Sequence, residues 1–257
     1  MPMNSPWSWP FWIAHRGAGK SAPENTLAAF RAGFSAGFGM FECDVKLSAD
    51  GVAFLLHDDD LDRTTSGHGP AGARTWAELS RLDAGAWQDR AFAGEPLPTL
   101  EALARWARAN GGLLNLEIKP SPGAEQVTGE QVAREASALW SGADTPPLLS
   151  SFSVEALRAA AQAAPSMPRA LLLERLHDGW HDDVEALGAV AVVLHFPLAD
   201  AATIARVHAG GRRALAYTVN EEAAYRRLRM AGIDGLITDA ISRFGPLARS
   251  TRRTLPR

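Results

Sequence analysis

Four short motifs gather the residue types of metal-assisted phosphate chemistry: His15-Arg16-Gly17, Glu42-x-Asp44, His57-Asp58 and Glu117-x-Lys119. Each closes a short apolar run. Between them they supply three candidate metal-ligating carboxylates, two histidines, an arginine and a lysine. Carboxylate oxygens suit a hard divalent cation, the cation and basic side chains suit a phosphoryl group, and paired histidines exchange protons near neutral pH. The chemistry implied is attack on a phosphate ester.

Glu42 and Asp44 share one face of a strand, and Glu117 sits on a neighbouring one. Three carboxylates converging on one point repel strongly unless a cation or protons neutralise them. Oxygen-only ligation favours Mg²⁺ or Ca²⁺ over Zn²⁺, with Mn²⁺ also admissible. The plainer alternative pairs each carboxylate with a nearby Arg or Lys. Arg16, by a forked contact, and Lys119, as a point charge, are the candidate phosphate contacts. His15 and His57 are the candidate proton carriers. His195 ends a strand and can line the same mouth, whereas His68, His177, His181 and His208 are expected to face solvent. In Pro23-Glu24-Asn25-Thr26, Glu24 can orient Arg16, and Asn25 or Thr26 can cap the helix that follows.

These residues need a frame. Apolar runs at 11–15, 40–44, 113–119, 147–152, 169–174, 191–196, 213–219 and 235–239 read as eight strands. Helical patterns fall between them at 26–36, 100–109, 126–140, 154–163, 183–187, 199–208 and 221–230. Strand alternating with helix is the mark of a parallel sheet wrapped by helices, and eight such strands close a barrel. Glycines 37, 111, 188, 210 and 232 follow helices where a left-handed residue is needed.

The run 52–57 breaks this alternation, because a parallel crossover needs a dozen or more residues. It must return as a hairpin. A turn at 48–51 pairs Leu47 with Val52, Asp44 with Leu55 and Glu42 with His57, which sets His57 beside the carboxylates. A slip of one residue would put it on the other face. The glycine-rich stretch 58–98, with one helical candidate at 76–82, reads as an insertion over the barrel mouth rather than an independent core.

The chain has 257 residues, a length common for one α/β barrel. The expected division is one domain over 10–247, including the insertion, followed by a flexible basic tail at 248–257. With 26 basic against 29 acidic residues and a formal charge of −3, no cationic field points to nucleic acid or an anionic membrane. Cys43 is the single cysteine, so there is no intrachain disulfide. It lies on the strand face opposite Glu42 and Asp44 and reads as apolar filler in a reducing compartment. The aromatic stretch 7–12 lacks the features of a signal peptide and is expected to pack against the lower end of the barrel. No run reaches the ~20 apolar residues of a membrane span, so the expectation is a soluble, cytoplasmic protein without a stable membrane anchor.

Taken with Leu61-x-Arg63-Thr64-Thr65, Tyr217-Thr218-Val219-Asn220 and Ile237-Thr238-Asp239, the motifs resemble those of the glycerophosphodiester phosphodiesterase family. Stretches such as Pro146 to Phe152 and Gly94 to Pro98 are similar to the cytosolic bacterial branch associated with glycerol-3-phosphate uptake. The resemblance implies a TIM (β/α)8 barrel of the phosphatidylinositol-phospholipase-C-like type. It implies hydrolysis of small glycerophosphodiesters, with choline, ethanolamine or glycerol head groups, to sn-glycerol 3-phosphate and an alcohol. The roles it carries over are metal ligation by Glu42, Asp44 and Glu117, acid–base work by His15 and His57, and phosphate contact by Arg16 and Lys119. Tyr217 stands where many relatives have tryptophan, and keeps an aromatic wall while adding a hydroxyl. By the same resemblance the nucleophile is the glycerol 2-hydroxyl, through a cyclic phosphate, or else water. Two other readings stay open: a lysophospholipase D, favoured by an apolar groove roofed by Trp76, Trp87 and Phe92, and a metal-dependent binding protein without turnover. Head group, cation, oligomeric state and the direction of proton transfer are left open by the sequence.

Overall fold

The computed structural model describes residues 9–247. Nine strands and eight α-helices follow in chain order: β1 (Trp12–Ala14), α1 (Leu27–Ser35), β2 (Met40–Leu47), β3 (Ala53–Leu55), α2 (Trp76–Leu79), α3 (Leu100–Asn110), β4 (Leu113–Ile118), α4 (Glu125–Leu139), β5 (Leu148–Ser151), α5 (Val154–Ala163), β6 (Arg169–Leu173), α6 (Trp180–Ala186), β7 (Ala191–His195), α7 (Ala201–Ala209), β8 (Arg213–Tyr217), α8 (Glu222–Met230) and β9 (Gly235–Thr238). All but β3 are parallel to their neighbours. β1 pairs with both β2 and β9, which closes eight parallel strands into a barrel with helices between them.

Strand alternation divides the core in two. Outward-facing residues such as Phe41, Cys43, Val45, Leu149, Val192 and Leu236 pack into the main cluster with the helices. Inward-facing Ile13, Met40, Leu148, Ala170, Leu172, Ala191, Val193, Leu215 and Ile237 fill the lower interior. Continuing upward on the same inner faces, the residues become polar, charged or aromatic: His15, Glu42, Asp44, Glu117, Tyr217 and Asp239. The helices that cover the barrel are capped where the sequence places hydroxyls. Thr26 accepts from the Ala29 N–H at the start of α1, and Ser153 does the same from Ala156 at α5. The close approach of α4 to α5 depends on Gly129, where a Cβ would lie 2.1 Å from the Ala156 carbonyl oxygen.

Three expectations need correction. The second strand runs on to Leu47, three residues past the predicted end, because its far half gains a partner in β3. That partner is the hairpin strand, but its register is Val45↔Leu55, Lys46↔Phe54 and Leu47↔Ala53, one residue away from the expected pairing. The turn is one residue longer, and β3 stops at Leu55, two residues before His57. The third correction is small: after α7 the left-handed residue is Gly211, with φ 73°, and not Gly210.

The stretch after β3 contains only one short α-helix, α2, and two 3₁₀ turns at Ala71–Ala73 and Arg90–Phe92. Its apolar residues Leu61, Ala71, Leu79, Ala84 and Leu97 gather in a separate small cluster around Phe54 and Leu56. That cluster is anchored on the hairpin strand rather than self-contained. Trp9 packs at the bottom of the barrel interior, and Trp12 lies 5.3 Å from Tyr225 and 5.5 Å from Phe244. Trp7 and the basic tail lie outside the described residues. Among the described residues, no helix is long and apolar enough to cross a membrane.

Candidate active site

The turn from β1 into α1 is where the site begins. β1 ends at Ala14, the His15 N–H makes a last bond to the Thr238 carbonyl of β9 at 3.0 Å, and Arg16 then turns away with φ 50°. Asn25 has φ 58°, and these are the two non-glycine residues with positive φ among those described. Such backbone is uncommon and is held in place by its surroundings. The Arg16 N–H donates to Glu42 Oε2 at 3.1 Å, and the Asn25 amide grips Asp44 twice, donating to Oδ2 at 2.8 Å and accepting from the Asp44 N–H at 3.1 Å. Gly19 lets the turn pass β9, since a Cβ there would sit 2.2 Å from the Asp239 carbonyl oxygen.

The β2–β4 register places Asp44 opposite Glu117 and Glu42 opposite Asn115. Glu42, Asp44 and Glu117 are all buried, and each can present an oxygen so that the three lie within 4.8 Å of one another. Burial and the neighbouring carboxylates hold the Glu42 carboxyl well above the ordinary range. The same causes, burial first and then Asp44, push Glu117 up to about 7. Burial works in the same direction on Asp44, but Arg16, Lys119, His57 and the Asn25 hydrogen bond outweigh it and bring that group down to about 2. An oxygen-only cluster whose members resist shared ionisation fits a hard divalent cation. The residues present therefore fit the metal that the sequence pattern implies.

Two cations flank the acids. Lys119 Nζ lies 3.1 Å from Glu117 and 3.6 Å from Asp44, and Arg16 Nε is 3.5 Å from Asp44. Burial alone would lower the pKa of either base, but the adjacent carboxylates raise both. Arg16 is oriented by Glu24, which accepts from its Nη1 at 2.7 Å as the sequence suggested.

The two histidines are held in the same manner by different elements. His15 Nδ1 is 2.5 Å from Asp239 Oδ1, and His57 Nδ1 is 2.6 Å from Asp58 Oδ1. A carboxylate only accepts, so each Nδ1 donates, which leaves each Nε2 to accept a proton or, on a protonated ring, to deliver one. His15 Nε2 lies 3.7 Å from Glu42. Because β3 ends before His57, the register slip does not carry that ring to the outer face. Burial lowers its pKa, and Asp44, Arg16 and Lys119 all act on it electrostatically.

The sequence reading left the partners of the histidines without roles. Asp239 is itself fixed by Asn220, which donates to Oδ2 at 3.0 Å and accepts from the Asp239 N–H at 2.8 Å. Arg63 donates to both Asp58 and Glu24, at 2.6 to 3.0 Å, tying the two catalytic loops together. Buried Lys46 is bonded to Asp59 at 2.6 Å. Asp239 and Arg63 stood in the motifs, but His15 and Glu24, which they bond, are 224 and 39 positions away, and Lys46 stood in no motif.

On the opposite side of the mouth, Tyr217 ends β8 with its ring 5.7 Å from both Phe152 and His195. Burial, then Glu174 and Glu117, raise the pKa of its hydroxyl. The remaining histidines are exposed except His181, which stacks on Trp180 at 3.4 Å. Trp76, Trp87 and Phe92 do not form one roof. Trp76 packs in the insertion cluster, Phe92 against the main core, and Trp87 is half-exposed with its Nε1 donating to Ala84.

The profile of the glycerophosphoryl diester phosphodiesterase family matches residues 15–243. A putative glycerophosphodiester phosphodiesterase of Bacillus subtilis, YhdW, is 34% identical over 233 residues, covering 88% of this chain and 93% of the relative. The glycerophosphodiester phosphodiesterase of Caldanaerobacter subterraneus is 33% identical over 235 residues, covering 88% and 93%. Among solved structures, a phosphodiesterase of Oleispira antarctica, OLEI02445, in complex with the product sn-glycerol-3-phosphate, superposes with a TM-score of 0.86 at 32% identity, covering 96% of this chain and 98% of that one.

Proposed function

The chain belongs to the glycerophosphoryl diester phosphodiesterase family, and from that premise we propose which of its residues carry the reaction. The enzyme is a phosphoric diester hydrolase that splits glycerophosphodiesters into sn-glycerol 3-phosphate and an alcohol. Glu42, Asp44 and Glu117 hold one divalent cation, and the all-oxygen set favours Mg²⁺ or Ca²⁺. When bound there, the cation supplies Lewis-acid stabilisation of the charge that builds on the phosphoryl oxygens.

The chain's own residues do the rest. Arg16 and Lys119 contact phosphoryl oxygens, and their carboxylate neighbours keep both charged. His15 and His57 exchange the protons through Nε2: one takes the proton of the nucleophile, the glycerol 2-hydroxyl or water, and the other delivers a proton to the departing alcohol. On the 2-hydroxyl route water then opens the cyclic phosphate to sn-glycerol 3-phosphate. Asp239 and Asp58 hold Nδ1–H and so fix tautomer and ring orientation. Glu24, through Arg16 and Arg63, and Asn25, through Asp44, position those groups. Tyr217 supplies a flat wall to the bound substrate. The observation that carries this reading is the pair of histidines, each with a carboxylate on Nδ1, brought beside one buried acid triad.

The net charge of −3 supports a small-molecule substrate over nucleic acid, and the single buried cysteine supports a reducing, cytoplasmic setting. The test follows release of sn-glycerol 3-phosphate from glycerophosphocholine, glycerophosphoethanolamine and glycerophosphoglycerol, and release of choline with lysophosphatidic acid from lysophosphatidylcholine. The expected result is turnover of the three diesters in preference to the lysolipid. Preference for the lysolipid would make the enzyme a lysophospholipase D. Tight binding without a single turnover would make it a binding protein.

A further inference from the structure

The polar lining of the barrel does not end at the acid triad. Asn115 stands on the inner face of β4, two residues below Glu117 and directly across from Glu42 in the β2–β4 register. Ser150, on the next strand, is the register partner of Glu117. Both side chains are fully buried. Neither end of the Asn115 amide nor the Ser150 hydroxyl has a hydrogen-bond partner among the described residues. One layer further down, Met40 and Leu148 begin the apolar filling.

Buried polar side chains are almost always completed by some partner, and an interior water needs two to four polar neighbours. An amide, a hydroxyl and the two carboxylates above them meet that requirement. We propose that Asn115 and Ser150 form a polar floor that holds ordered water against Glu42 and Glu117, and so fixes the orientation in which those carboxylates ligate the cation. This rests on the reading that the triad binds a divalent cation. Asn115 and Ser150 are positioning residues, acting through the ligands rather than on substrate.

Partners of metal ligands commonly change affinity by about 10–100-fold when removed. A residue that only filled space would instead change stability. The experiment titrates Mn²⁺ into the metal-stripped wild-type protein and into the Asn115→Leu, Ser150→Ala and Glu117→Gln variants by calorimetry, alongside the melting temperature of each metal-free protein. Asn115→Leu is expected to weaken Mn²⁺ binding about 10–100-fold and Ser150→Ala by about severalfold, with metal-free melting temperatures at or above that of the wild type. Binding within twofold of wild type in both variants overturns the inference, as does a lowered melting temperature with unchanged affinity. If Asn115→Leu does not fold, Ser150→Ala decides. Failure of the wild type to bind Mn²⁺ overturns the metal reading itself, and the inference with it. Loss confined to the floor variants and Glu117→Gln supports both.

Discussion

The two halves of the barrel mouth are built by one device and equipped for different work. In both, a strand delivers its last inner-facing residue to the open end. On β1, β2, β4 and β9 and the turns after them, those residues are His15, Glu42, Asp44, Glu117, Lys119 and Asp239, joined by ion pairs and hydrogen bonds of 2.5 to 3.7 Å. On β5, β7 and β8 they are Phe152, His195 and Tyr217, packed ring to ring at 5.7 Å. The lower interior is apolar on both sides. Parallel strands thus make equivalent positions, and residue type separates a half rich in charge from a mainly aromatic half, to which the end of β6 adds one exposed carboxylate, Glu174. The two meet at Lys119, whose Nζ lies 5.8 Å from the Phe152 ring centroid.

The division should be broken most severely by removing a group proposed to move a proton. His57→Ala is expected to lower kcat by roughly 10²–10⁴-fold while the folded protein still binds Mn²⁺. Circular dichroism and calorimetry run beside the assay check both halves of that statement. A smaller loss, about 10–10²-fold, is expected from Asp239→Ala, because the His15 ring loses the acceptor that fixes its tautomer. Its pH–rate profile should move as well, whereas a purely structural role would lower the melting temperature and leave the profile in place.

The contrast also has a pH signature. The folded-state pKa of Glu117 is raised from an ordinary 4.5 to about 7. For a group raised in this way, the stabilisation is present below the unfolded value and lost as pH rises through the folded one. Metal-free protein should therefore melt at progressively lower temperature between about pH 4.5 and 7. Bound cation should offset this, and Mn²⁺ affinity should rise through the same window as the proton leaves. Glu117→Gln should reduce the metal-free dependence, leaving the part contributed by Glu42, which is also raised. Asp44, lowered to about 2, contributes with the opposite sign, only below its ordinary 3.8. The aromatic half sits at the small end of the scale. Phe152→Ala and Tyr217→Ala are each expected to raise KM by about two- to tenfold with kcat nearly unchanged, the mark of binding that is equal in ground and transition states.

How much of this was readable from the chain varies by element. The eight parallel strands and the carboxylate spacing followed from apolar periodicity and the two-residue repeat, because both are local. The hairpin register did not, because one added turn residue shifts every pairing and turn length cannot be read from Lys46 to Gly51 alone. His57 reached the site all the same, because the last bond to β2 is from the Leu56 N–H to the Asp44 carbonyl and the chain bends at His57 before the slip can matter. Asp239 and Arg63 were visible as motif residues without tasks. Asp239 bonds His15 across 224 positions, and Arg63 bonds Glu24 across 39. Nothing local encodes such partners. Asn115 and Ser150 looked like ordinary strand polar residues until the barrel closed around them.

The central claim is that the charged half works only with a cation on Glu42, Asp44 and Glu117. The most direct measurement strips the wild-type protein with a chelator and follows sn-glycerol 3-phosphate release from glycerophosphocholine while Mg²⁺, Ca²⁺ or Mn²⁺ is restored, with Glu117→Gln treated in parallel. The account predicts that turnover disappears on stripping, returns with at least one of the three ions in the wild type, and does not return in the variant at the same concentration. Undiminished hydrolysis by the stripped protein, or full recovery of Glu117→Gln, would contradict it.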